Sequence, residues 1–113
     1  MRMFLAAFAM FTACCGLARA DPTVRIAMAE FKNGNQATIA YLKGVRDGIG
    51  WVNTMMGQSG QAPFYCQPEK LALTIGQQMD MLSRFLAENP RIIDDQVGIV
   101  LLLTLKDAFP CQK

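Results

Sequence analysis

The chain has no histidine. That removes the imidazole base of Ser-His-Asp and Cys-His catalysis, and with it the commonest metal ligand. Serine is scarce too, with Ser59 and Ser83 the only two, and neither has a visible base at motif spacing. No glycine-rich phosphate loop follows a strand. No apolar run reaches the roughly 20 residues that a membrane-spanning helix needs. Charge is modest at 18% of residues, and the formal net charge is +2. That excess comes from Arg2 and Arg19, so residues 21 to 113 are balanced. A balanced surface gives no electrostatic basis for binding nucleic acid or an anionic membrane. These absences point toward binding and away from catalysis, and no cofactor is expected.

What is present begins with a leader. Arg2 precedes an apolar run from Met3 to Phe11, and Ala18-Arg19-Ala20 is a small-x-small cleavage site before Asp21-Pro22. The pattern is that of a signal peptide over residues 1 to 20. Thr12-Ala13-Cys14 offers a second reading, a lipidated Cys14, although Phe11 stands where an aliphatic residue is usual. Cleavage after Ala20 leaves one domain, residues 21 to 113, small enough for a covalent staple to matter. It also leaves two of the four cysteines, Cys66 and Cys111. In an exported chain without a partner base they are expected to form a disulfide.

Helical periodicity dominates the rest. Val24 to Phe31 reads as a short helix closed by Gly34 at positive φ. About Gln36 to Met56 reads as a long one, with Leu42, Val45, Ile49, Val52 and Met56 on one face and Tyr41, Gly44, Gly48, Trp51 and Met55 on the next. Gly44 and Gly48 cost helix stability, so close packing of another backbone against them is expected, with Trp51 in the core. Gly57 to Pro68 is a loop, after which Leu71 and Leu73 anchor the chain to the core. Thr74-Ile75-Gly76-Gln77 fits a capping box. The third helix buries Ile75, Met79, Leu82, Phe85 and Leu86, then stops by Asn89-Pro90. Asp94 or Asp95 caps the fourth. That helix is apolar almost all round, as expected of one central in the core or buried in a dimer. The architecture is therefore all-α: a small four-helix domain clasped by one disulfide.

Met55-Met56 and Met79-x-Met81 raise cuprous ion as a ligand. Residues two apart on a helix point about 200° apart, so these methionines are read as core fillers and no metal site is expected. Tyr65, in a loop bounded by proline and glycine, and Trp51 are the aromatic candidates for an interface.

Four segments in order carry a resemblance: Tyr41-Leu42-x-Gly44-Val45-x-x-Gly48, Tyr65-Cys66-x-Pro68, Leu86-x-x-Asn89-Pro90 and Leu105-x-x-Ala108-Phe109-Pro110-Cys111. The set resembles the Rap/Tai immunity proteins, periplasmic antagonists of type VI secretion amidase effectors. The resemblance implies a small helical fold, a periplasmic location and, as in many members, a homodimer. It also implies a protein partner, a peptidoglycan amidase toxin whose active site is occluded. Members often carry further cysteines near the start of the long helix, where this chain has none. Two loops are candidates for the occluding surface, Gly57 to Tyr65 and Asn89 to Asp95. The second is favoured for Asn89, Arg91, Asp94 and Asp95 on a proline-stiffened turn. The alternatives are a small acid-activated periplasmic chaperone and a structural envelope protein.

Overall fold

Thr23 opens the first helix, α1 (Val24–Lys32), with extended backbone at φ −68° and ψ 160° and a hydroxyl that accepts from the Ile26 amide. The structure is a computed structural model that describes residues 21–112. The leader and Cys14 lie outside the described residues. Gly34, at φ +74°, turns the chain out of α1, a conformation that glycine adopts without a Cβ clash. Asn35 then caps α2 (Gln36–Gln58) by accepting from the Ala37 and Thr38 amides. Next come α3 (Ile75–Glu88), a 3₁₀ turn (Pro90–Ile92) and α4 (Val97–Ala108). The capping box at α3 is present in both directions. The Thr74 hydroxyl accepts from the Gln77 amide, and the Gln77 side chain accepts from the Thr74 amide.

The core lies where all four helices meet. Leu42, Leu82, Leu101, Val24, Val97 and Val100 are its fully buried side chains. Burial of branched apolar groups from each helix supplies the main folding drive. Buried Thr104 stays satisfied by donating its hydroxyl to the Val100 carbonyl at 2.8 Å.

The start of α1 is finished by a distant segment. The Val24 and Arg25 amides donate to the Asp95 and Ile93 carbonyls, both at 2.9 Å, and the Val97 amide donates to Pro22 at 3.1 Å. Thr23 and Gln96 form an isolated antiparallel bridge. First-turn amides of a helix have no partner within it, and here two backbone segments exchange donors and acceptors. This corrects the expected acidic cap on α4. The position before the helix is Gln96, without a side-chain bond. Asp94 and Asp95 lie two residues and one residue before the cap position, and their groups are engaged with α1 instead, Asp94 with Arg25 and the Asp95 carbonyl with the Val24 amide.

The expected disulfide is formed, joining Cys66 to Cys111 with Cα atoms 4.9 Å apart. The Cys66 amide also donates to the Phe109 carbonyl at 2.8 Å. The loop before α3 is thus tied to the end of α4.

Several packing expectations are overturned. Trp51 and Met55, both expected in the core, are 71% and 64% exposed, because the face of α2 that carries them is not covered by another helix. A Cβ built on Gly44 or Gly48 meets nothing within 4 Å, so no backbone closes on them. Leu71 is 39% exposed and does not anchor the loop. Helix α4 is not central in the core, because it is buried on one side only. Val97, Val100, Leu101, Thr104 and Leu105 face inward, while Ile99 and Leu103 are 59% and 43% exposed.

Candidate functional site

The turn from Asn89 to Asp95 is exposed and does gather four of the expected residues, but most of its polar groups already have structural tasks. The Asn89 side-chain amide donates to the Phe85 carbonyl at 3.0 Å and closes α3. Asp94 receives a forked pair of bonds from Arg25, Nε to Oδ1 at 2.8 Å and Nη2 to Oδ2 at 3.1 Å. The Asp95 carbonyl holds α1. Arg91 is the exposed base at the centre of the turn.

The Arg25 guanidinium, by hydrogen bonding first and charge second, holds the Asp94 carboxyl below its ordinary value of 3.8. A lowered folded-state value means the pair's contribution is fully present above that ordinary value. It is lost as pH falls through the folded one. Both side chains are largely in water, so the effect is small and screened by salt. The melting curves of wild type and Asp94→Asn are therefore expected to differ slightly at neutral pH and to converge as the pH falls through the folded-state value. Divergence on acidification would contradict this assignment.

Tyr65 does not join the turn. It is only 6% exposed, and that burial pushes its phenol above the ordinary range. The cause is Asn53 on α2. The Asn53 side-chain oxygen accepts from the Phe64 and Tyr65 amides at 2.7 and 3.2 Å, and its nitrogen donates to the Tyr65 carbonyl at 2.9 Å. One amide side chain thus satisfies three backbone groups and pulls the loop onto the helix. Tyr65 precedes Cys66, which sits at the C-terminal end of α4, whereas the turn sits at its other end. Twelve helical residues separate them by about 18 Å. Tyr65 is therefore largely a packing residue apart from the turn, and it lines the hollow beside Trp51.

The exposed aromatic is Trp51, at 71%, with Val52 at 54% and Met55 at 64% beside it on the outer face of α2. Glycines 44 and 48 continue that face toward the N-terminus, and it carries no charge from Gly44 through Met55 except at its edge, where Asp47 lies. Trp51 also walls a hollow of about 580 Å³ shared with Gly50, Pro63, Pro68 and Leu71. Large side chains left in water together mark an interaction surface more often than scattered ones do. The two apolar stripes expected along α2 do not divide cleanly: Tyr41 of the Trp51 stripe packs against the core, while Val52 of the Leu42 stripe is exposed beside Trp51 and Met55.

Among the described residues, no group of three or more His, Cys, Asp or Glu is placed to hold a metal ion. No helix among them is long and apolar enough to cross a membrane. No family model, curated protein or solved structure matches this chain.

Proposed function

We propose that this chain is an exported protein-binding module, and that its partner is a peptidoglycan amidase toxin which it inhibits in the periplasm by occluding the active-site cleft. The observation that carries the binding part is the open Trp51, Val52 and Met55 face on α2. The amidase and the periplasm rest on the leader-like start and on the Rap/Tai resemblance from Tyr41 to Cys111. The disulfide and the Asn53 clamp support a rigid-surface mechanism, since a surface fixed before binding has less ordering entropy to lose. An acid-activated chaperone would keep its apolar surface covered until acidified, which fits this open face less well.

The test is co-expression of the full-length chain with exported peptidoglycan amidases, followed by calorimetry on each pair that restores growth. A cognate amidase is expected to bind stoichiometrically and lose activity. Trp51→Asp should weaken binding by ~30-fold or more, the effect of losing an interface hot spot, while leaving the melting temperature unchanged. Should Arg91→Glu abolish inhibition while Trp51→Asp does not, the turn is the interface. If no amidase is inhibited, the proposal fails.

A further inference from the structure

A smaller hollow, of about 210 Å³, lies where α2, the loop after it and the start of α3 meet. Its wall includes Arg46, Asp47, Trp51, Tyr65, Leu73 and Gln78. Two of these are buried polar side chains: Gln78 is 5% exposed and Tyr65 6%. Both are bonded to the fold through their main chains. The Gln78 main-chain amide donates to the Thr74 carbonyl at 3.1 Å, and the Tyr65 main chain is held by Asn53. The Gln78 carboxamide and the Tyr65 hydroxyl have no hydrogen-bond partner among the described residues. Among those residues, no side-chain nitrogen or oxygen sealed from solvent lacks a partner. These two polar ends therefore reach the surface, and the hollow is the opening that both line. Buried polar groups are nearly always bonded, so a carboxamide kept in a wall with its bonds unspent asks for a ligand. Gln67, the other amide on the wall, already donates to the Leu71 carbonyl. Arg46 Nε donates to Asp47 Oδ1 at 2.9 Å, so the two charges on the wall cancel.

We propose that this hollow binds a carboxamide, as a primary amide or a peptide group. Gln78 offers a donor and an acceptor side by side, and a second amide answers both with a pair of antiparallel bonds. The Tyr65 hydroxyl gives or takes a third. A carboxylate has no proton for Gln78 Oε1 and meets Asp47. An ammonium has no acceptor for Gln78 Nε2 and meets Arg46. A neutral amide suits a wall whose charges cancel. A wholly apolar ligand would leave the Gln78 and Tyr65 groups dry and unpaired, a cost that favours the amide. Trp51 and Leu73 are apolar walls for a short stem. The volume lies below that of a drug-sized site and takes a side-chain tip or one small molecule. The assignment does not depend on the amidase partner, and it can hold if that partner is wrong.

The test uses the protein expressed from its full-length sequence with the disulfide formed. Amide nitrogen–proton spectra, which include the Gln78 side-chain NH₂, are recorded during titration with propionamide, and separately with propionate and with propylammonium. Propionamide is expected to shift the Gln78 side-chain signals saturably, with main-chain signals such as those of Arg46, Tyr65 and Leu73. Neither ion is expected to do so. Gln78→Met keeps the length of the side chain and removes both polar atoms, so affinity for propionamide should fall about tenfold or more. Tyr65→Phe removes the hydroxyl alone and should cost about threefold. If Gln78→Met loses the wild-type spectrum, Tyr65→Phe decides. A blocked glutamine peptide that saturates the same signals more tightly than propionamide would identify a protein side chain as the source. A weaker peptide would identify a free small amide. Equal binding of either ion, shifts that never saturate, or full affinity in the folded variants would overturn the proposal.

Discussion

Removing the disulfide by the double substitution Cys66→Ala, Cys111→Ala is expected to lower the unfolding free energy by about 4 kcal/mol. The bridge closes a loop with a sequence separation of 45, and loop closure of that order restricts the unfolded chain by an amount between the ~3 kcal/mol of a short loop and the ~4.7 kcal/mol of a very long one. The native side is undemanding, because the Cys66 amide already meets Phe109 and Asn53 already holds Phe64 and Tyr65. Those contacts remain in the variant, so the loss falls on the unfolded ensemble. For a domain of this size the change corresponds to a melting temperature lower by roughly 15–25 °C. Urea denaturation of wild type, of the variant and of wild type under reductant checks it. The last two should coincide. A gap of less than about 1 kcal/mol between oxidised and reduced wild type would mean that the loop is already ordered in the unfolded chain.

Truncating Leu42 to alanine is expected to cost about 3–4 kcal/mol, and truncating Val52 on the same helix less than about 0.5 kcal/mol. Leu42 is 0% exposed and sits in the cluster with Val24, Leu82, Val97 and Leu101. Its loss opens a cavity bordered by side chains from every helix, which cannot all move inward together. Val52 is 54% exposed and has little burial to lose. The contrast tests which face of α2 points inward, and chemical denaturation measures it directly. Comparable costs at the two sites would mean that Val52 is covered in solution.

Local signals were legible where the residues involved lie within one turn of each other. The Thr74–Gln77 box, Gly34 and the Asn89-Pro90 stop all depend on chemistry confined to a few positions. The cysteine pair was legible because elimination left only two. The candidate site was legible in part. Four turn residues were found in the right place, but their commitments were not. Asp94 was read as a cap because its neighbours are a helix start, and its real partner, Arg25, lies 69 residues away. Tyr65 is an interface candidate in the sequence because glycine and proline bound its loop. The sequence around it cannot show that Asn53 reclaims the backbone there. Periodicity marks two adjacent apolar stripes on α2 equally well. Only the positions of α1, α3 and α4 decide that Leu42 goes inward and Trp51 outward.

The exchange of backbone bonds between Pro22–Arg25 and Ile93–Val97 sets an order on the folding of a chain that emerges N-terminus first. Nine residues of α1 are too few to hold a helix alone in water. Its opening amides have no acceptors until the last fifth of the polypeptide has appeared. The first helix is therefore among the last to be secured. Closure of the N-terminal end then reports that Ile93–Val97 has been placed beside it.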